Sequence, residues 1–420
     1  MGMRSTATTS TAGDSSIAAS QCKVCIHVLR EGRSDYRLLR GATALVEAGF
    51  AVTVVDVEAE RTCPAEEDLS GLYMEHLIVP GWHNSRRFEP WFFIVAVKTF
   101  ILSILRLIRM RADIYHACEL TALPACYIVA RLLRKPLIFE IYDLQFPIPT
   151  TGVAFWRRVG AHLYDFLLPH CAAVIVTSPL HAREICNRYR TPALALVRNI
   201  PKYREVQKAD RLRRYLGLSP NTRIALYQGN IQSDRGLDQL VQEATYLESD
   251  IVIVMMGKAM GTTQTELEAR ITSEGVADCV KIMPPVPHEE LLEWTASADI
   301  GLIVHPPDFS LNVQTLLPNK LFEYLMAGLP VLTSDIGAVV DIVQGYDVGQ
   351  VVASVEPGAI GAAINAMLAD DTALHRMSQN ALVAARNEFN WEKESLQLIR
   401  LYEDFVVRLK GKRNVVSHKD

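Results

Sequence analysis

The sequence predicts an α/β protein made of two doubly wound, Rossmann-like halves. Three observations predict it. Short apolar runs alternate with helical spacing almost from end to end, the pattern breaks once near the middle, and it then restarts. Short apolar strands separated by helices imply parallel sheets covered on both faces. A length of 420 residues leaves room for two or three domains.

In the first half, 23–29 (KVCIHVL) is a buried strand, and 36–49 has helical apolar spacing ending at Gly49. Strands follow at 51–55 and 74–79, then a long apolar helix at 90–110. Strands at 113–116 and 136–140 flank a helix at 121–133, and 173–177 is another strand. The stretch 198–213 is polar and charged, contains Pro201, and reads as the linker. Alternation then resumes with strands at 223–227, 251–256, 280–283, 300–304, 330–333 and 349–352. Between them lie helices after Arg235 and near 263–273, 288–297, 320–327 and 338–343; helices near 357–368, 371–387 and 391–409 close the chain. The expected domains are a disordered tail (1–21), an N-terminal half (22–200), a C-terminal half (201–390), and a terminal helix and tail (391–420) packing back on the N-terminal half. Ligands in such sheets bind beyond the carboxyl ends of the strands, so two such halves are expected to face each other across a cleft.

Composition narrows the class. Apolar residues make up 49% and charged residues 21%, which is globular. The net charge of -4 excludes a generally basic coat for nucleic acid. Eight cysteines without framework spacing point to the cytosol, and Cys22 and Cys25 read as residues of the first strand and its approach. The tail 1–21 has no apolar core of a secretory signal.

The second half carries the chemistry. Tyr227-Gln-Gly-Asn230 ends a strand and leads to Asp234-Arg-Gly-Leu237. Gly229 lets the backbone pass close to a ligand, the next helix offers free N–H groups at its start, and Arg235 supplies a fork suited to phosphate. Gly257 and Lys258 put a second glycine and a cation at a strand end. Pro284, Pro285 and Pro287 stiffen a loop around Val286 that can face a flat base. In Leu317-Pro-Asn-Lys-Leu-Phe-Glu-Tyr-Leu-Met-Ala-Gly328, Lys320 and Glu323 share one helix face near its N-terminus. A carboxylate there can accept two hydrogen bonds from a diol such as a ribose; the plainer reading is a salt bridge to Lys320. Neither a GxGxxG after the first strand nor a GxxxxGK[ST] is present, which argues against a dinucleotide dehydrogenase or a P-loop NTPase.

At these residues the chain resembles the GT4-like group of retaining glycosyltransferases of the GT-B fold. The resemblance implies that Tyr227 to Leu237 binds the donor diphosphate, with Lys258 or Lys320 in place of the family's usual lysine. Glu323 stands for the second Glu of the family's Glu-x7-Glu motif, which holds the ribose, and Thr315 stands where the first would contact the sugar. Asn319 lies in the turn that replaces the family's glycine-rich one. In the first half, Asp113 to Pro124 is similar to the segment with a cleft His: His116 is kept, while Cys118 and Glu119 stand where His and Asp are common. Gly32 and Arg33, in the loop after the first strand, and Tyr142 and Asp143, in the next cleft loop, are expected on the acceptor side.

The implied reaction moves a sugar from a nucleotide-diphosphate sugar to an acceptor hydroxyl of a lipid-linked or glycan precursor, with retention, without cofactor or metal. His116 and Glu119 are the catalytic candidates, for acceptor contact or proton management; His116, following a strand, is expected at the cleft edge. Asp56-Val-Glu58 reads as a strand-end acidic pair, not a metal motif. At 90–110, Lys98, Arg106 and Arg109 form a basic stripe within about 80° of a helix wheel, opposite a wide apolar arc. That suits an interfacial helix and peripheral contact with the cytoplasmic membrane face, with Trp82, His83, Arg86 and Arg87 just before it; a core helix with a cationic outer face is the alternative. Two other functions stay open: a sugar-nucleotide epimerase of the same fold, and a non-catalytic sugar-nucleotide-binding subunit.

Overall fold

The computed structural model describes residues 22–61, 63–82, 90–142, 154–189, 193–305, 314–352 and 356–416. The chain divides into two compact units. One comprises Met1–Thr177, His181–Val197 and Ser395–Asp420; the other comprises Ser178–Leu180 and Arg198–Glu394. The terminal helix Trp391–Val416 therefore starts in the second unit and continues, from Ser395, in the first.

The first unit is built on strands β1 (Lys23–His27), β2 (Ala51–Glu58), β3 (Glu66–Leu69), β4 (Leu72–Ile78), β5 (Ile114–Cys118), β6 (Leu137–Ile141), β7 (Ala173–Val176) and β8 (Leu194–Leu196). They lie in the order β3-β4-β2-β1-β5-β6-β7-β8. The pairs are parallel except β3 with β4, a hairpin the alternation of apolar runs did not announce. Its turn is Ser70-Gly71 with both φ angles positive, 58° and 93°, as two-residue hairpins require. The strand itself is Glu-Glu-Asp-Leu, largely exposed at the sheet edge, so it has no hydrophobic signature. The helices Ala154–Leu167 and Pro179–Arg188 were also missed, and the helix Arg211–Leu216 begins inside the expected linker and runs past it. Cys22 and Cys25 are buried and form no disulfide among the described residues, and burial pushes the Cys25 thiol up, away from reactive thiolate.

The helix Pro90–Met110 turns Val95, Thr99, Ser103 and Leu107 inward. Trp91, Ile94, Val97, Ile101 and Leu105 are exposed, each about half or more. It is long and apolar enough to cross a membrane by length and composition. The expected basic stripe needs correction. Arg106 is engaged by Glu75 and Glu66, whereas Lys98 falls on the outward side, among the exposed apolar residues. His83, Arg86 and Arg87 lie outside the described residues.

The second unit holds β9 (Arg223–Gln228), β10 (Ile251–Met256), β11 (Val280–Met283), β12 (Ile300–Ile303), β13 (Val331–Ser334) and β14 (Gly349–Val352). The order is β11-β10-β9-β12-β13-β14, all parallel. Successive residues of β9 feed opposite cores: Ile224 and Leu226 join one cluster with Leu321 and Phe322, while Ala225 and Tyr227 join another with Leu237 and Ile360. On the first face the helix Asn319–Met326 packs Tyr324 beneath Gly301. A Cβ on Gly301 would lie 2.5 Å from the Tyr324 ring, so only glycine fits under that phenol. Gly301→Ala should lower the unfolding free energy by about 1–3 kcal/mol through overpacking, read from urea denaturation; wild-type stability would contradict the contact.

Candidate functional site

The carboxyl ends of β9 and β10 carry the glycines that the sequence singles out. Gly229 N–H donates to Met256 O (3.0 Å), Gly257 N–H to Met283 O (3.2 Å), and Ile231 N–H to Lys258 O (2.9 Å), so the two loops continue the sheet beyond its strands. A Cβ on Gly257 would sit 1.7 Å from the Gly229 carbonyl oxygen. Gly257 is thus required by the approach of two backbones, and Gly229 by its φ of 132°. Arg235 closes the short 3-10 turn Ser233–Arg235, and the helix expected after it runs from Leu237 to Glu243.

The helix Asn319–Met326 brings the decisive side chains to this edge. Lys320 lies with Nζ 3.7 Å from the centre of the Tyr227 ring, and its Nζ is 3.4 Å from where a Gly229 Cβ would be. Burial, and then the nearby Arg235, pull the Lys320 ammonium down to about 7, against the opposing pull of Glu323. Lys258, the other candidate cation, is exposed. Of the two lysines, Lys320 is therefore the one that joins Arg235 and Gly229. Glu323 accepts from the Gln228 side-chain amide, and Gln228 Oε1 accepts from Thr295 Oγ at 2.6 Å. Gln228 is buried, so the chain Thr295–Gln228–Glu323 aims the carboxylate from within the fold. Asn230 and Asn319 are exposed at the same edge, and Val286 is half-buried against the core face that holds Leu321. Thr315 is buried and its carbonyl accepts from Ser178 Oγ.

Sequence reasoning missed Gln228, Thr295 and His305. Gln228 had a signal, a polar residue at the end of an apolar strand beside Gly229. His305 lies just past β12, 3% exposed, with Nδ1 buried and without a hydrogen-bond partner among the described residues. Burial, with Lys320 and Arg235 near it, holds its imidazolium down to about 3, so it is neutral.

The first unit gathers a second set at the ends of β1, β5 and β6. His116 does not follow a strand. It lies within β5, buried, which corrects the expectation of an edge position. Its Nε2 is 3.2 Å from Glu140 Oε2, so Nε2–H donates there and Nδ1 accepts from the Tyr402 hydroxyl at 2.7 Å. Glu140, despite burial, is held down to about 2 by Arg37 and His116. Glu119 opens the helix Glu119–Leu133 with φ of 67°, a strained backbone for a non-glycine residue. Arg30 joins it to this network, donating to Glu119 Oε1 (3.0 Å) and Asp35 Oδ2 (2.7 Å). Tyr142 has the Arg30 and Arg37 guanidinium groups 4.9 and 5.1 Å from its ring centre. Gly32 donates its N–H to Asp56 Oδ2 (2.7 Å), and Arg33 pairs with Glu67. Asp143 lies outside the described residues.

Chemically, the second unit offers a cationic, glycine-lined strand end next to a fixed carboxylate, which matches a diphosphate beside a diol. Comparison with known proteins addresses the family and the fold. Residues 208–383 match the family model for glycosyl transferases group 1, and residues 37–201 that for glycosyltransferase family 4. A D-inositol 3-phosphate glycosyltransferase of Xylanimonas cellulosilytica is 30% identical over 194 residues, 46% of this chain and 44% of that protein. One of Thermobispora bispora is 26% identical over 252 residues, 56% of each. The matched stretch spans about half the length of these relatives. Among solved structures, sucrose-phosphate synthase from Thermosynechococcus elongatus superposes with a TM-score of 0.77 at 17% identity, covering 92% of this chain and all of that one. Anabaena HepE in complex with UDP and glucose gives 0.70 at 16% identity, covering 91% and 100%. At such identities the likeness concerns the fold alone.

The Lys320 shift has a signed consequence. The folded protein releases the Lys320 proton near pH 7, whereas an unfolded chain keeps it to about 10.4. Below 7 the buried charge costs its full amount, and stability recovers as pH rises from there toward 10.4. Lys320→Met should therefore gain most over wild type at about pH 6 and progressively less toward about pH 10, by urea denaturation of both proteins. A gap that does not change with pH would contradict the burial of that charge.

Proposed function

We infer the chemistry from lineage: the chain belongs to the GT4-like group of glycosyltransferases with the GT-B fold, two Rossmann-like α/β domains with largely parallel sheets. The reaction is transfer of a sugar from a nucleotide-diphosphate sugar to an acceptor hydroxyl. One observation carries the donor side: Lys320 lies against Gly229 with Arg235 near enough to lower its ammonium, while Glu323 is aimed by Gln228. The diphosphate sits against the two cations and the loop N–H groups, and Glu323 accepts from the ribose hydroxyls. As the glycosidic bond breaks, negative charge grows on the leaving phosphate, and the preorganised Arg235 and Lys320 stabilise it there. A diphosphate also favours the protonated Lys320, so donor binding raises the fraction of charged amine.

On the acceptor side, Glu119 is the stronger candidate, presented by a strained backbone and tied to Arg30. His116 acts through Glu140 and Tyr402 as a positioning residue. The outward face of Pro90–Met110, with Trp91, Ile94, Val97, Ile101 and Leu105 around Lys98, supports peripheral attachment to an anionic membrane and an acceptor carried there. Transfer to that acceptor proceeds with retained configuration, a reading that rests on the family. A phosphorylated polyol acceptor is the second reading, favoured by the relatives named D-inositol 3-phosphate glycosyltransferases.

Thermal shift across UDP-, GDP- and ADP-sugars should single out one donor, since a bound ligand raises stability as ln(1 + [L]/Kd). Glu323→Ala and Arg235→Ala should each weaken that donor about ten- to a hundredfold, the loss of a charged hydrogen bond of about 1.5–3 kcal/mol. Wild-type affinity in both variants would overturn the donor site. Incubation with the donor, with and without lipid extract or inositol phosphate, separates transfer from epimerisation and from binding alone. Flotation with anionic liposomes should carry the protein upward, and Ile94→Glu with Ile101→Glu should abolish it. Failure of the wild-type chain to float removes the membrane contact.

A further inference from the structure

The second sheet reverses its strand order between β9 and β12: β10 and β11 lie on one side, β13 and β14 on the other. Ligands of doubly wound sheets sit beyond the carboxyl ends of the strands at such a reversal. Gly229, with Lys320 against it, stands past the end of β9. His305 stands past the end of β12.

Alternation along β12 sets the side on which the His305 ring lies. Gly301 faces the Tyr324 ring, and Ile303 joins the core cluster with Leu321 and Phe322 of the helix Asn319–Met326. Leu302 and Val304 join the opposite cluster. His305 continues the row of Gly301 and Ile303, toward the helix whose first turn carries Lys320. Its backbone is held there, since His305 N–H donates to Ser334 Oγ (2.9 Å) and its carbonyl accepts from Ser334 Oγ (2.8 Å). The matching row of β9, Ile224 and Leu226, ends in Gln228. Each strand end therefore places one buried polar side chain on the face of that helix. The two differ in their partners. Gln228 bonds Glu323 and Thr295, whereas His305 Nδ1 is buried with no hydrogen-bond partner among the described residues.

A buried ring nitrogen left unpaired is costly, and it calls for a partner from outside the chain. Lys320 and Arg235, which are near enough to hold the ring neutral, offer only N–H donors. All three side chains can thus be satisfied by one kind of group, an anionic oxygen. A neutral imidazole adds a third donor without a third positive charge, so it does not add to the repulsion between the two cations.

Resting on the donor reading above, we propose that His305 is a further donor-binding residue, whose ring N–H donates to an oxygen of the nucleotide diphosphate beside Lys320 and Arg235. The ring stays neutral throughout, and no proton is transferred.

The full chain is titrated with UDP, GDP and ADP by calorimetry, and with the matching nucleosides by ligand-observed NMR. The diphosphate that binds the wild-type chain should bind His305→Ala about tenfold or more weakly, while the nucleoside binds both alike. His305→Asn, which keeps an amide N–H near the Nδ1 position, should recover most of that loss. A role in folding alone would weaken nucleoside and diphosphate together and would not be rescued by asparagine. Should His305→Ala misfold, His305→Phe keeps a ring, removes its nitrogens, and should show the same loss. Wild-type diphosphate affinity in the folded Ala or Phe variant, or an equal loss for the nucleoside, overturns the role of His305 and leaves the donor site standing. Failure of the wild-type chain to bind any of the three diphosphates overturns the donor reading itself, and the role of His305 with it.

Discussion

The Tyr324 hydroxyl accepts from Gln228 N–H at 3.1 Å and donates to the Leu226 carbonyl at 3.0 Å, beneath the bare backbone of Gly301. This buried phenol locks the helix Asn319–Met326 to the middle of the second sheet. The rest of the candidate donor site depends on that lock. With Tyr324 fixed, its neighbour Glu323 reaches the Gln228 amide, and Lys320, one turn earlier, reaches the Tyr227 ring and the Gly229 loop. The same helix contributes Leu321, Phe322 and Leu325 to the core, so the site rests on a rigid element, not on a loop.

Electrostatics divides the two units. In the second, like charges gather: Lys320 is discharged toward neutrality by burial and by Arg235, and His305 is kept neutral by the same neighbours. Such a strand end is short of negative charge, a deficit that the diphosphate of the proposed donor would meet. In the first, opposite charges are already matched: Arg37 with Glu140, Arg30 with Asp35 and Glu119. That network sets geometry around Glu119 and Tyr142. The group around His76 differs, since Asp56, Glu58 and Glu67 all approach its one imidazole.

Much of this was legible in the sequence because its causes are local. Strand alternation, helix stops at Gly49 and Gly328, and the turn at Tyr227-Gln-Gly-Asn230 follow from hydrophobic spacing and backbone freedom. The hairpin strand β3 was not legible, since an acidic edge strand has no apolar face to betray it. Nor was the fate of the basic stripe on Pro90–Met110, because Glu75 and Glu66, which engage Arg106, come from another strand pair.

The sequence by itself determined two doubly wound halves, the glycines at the ends of β9 and β10, and a carboxylate and a lysine sharing one helix face. Periodicity and glycine chemistry are properties of neighbours along the chain. Only the tertiary structure put Lys320, and not Lys258, beside Gly229 and the Tyr227 ring, because that depends on where a helix some 90 residues downstream of Gly229 docks. It also decided that His116 is an interior hydrogen-bonding residue, since Tyr402, which meets it, is 286 residues away in sequence. Contacts that distant are set by which faces bury together, and no local pattern records them.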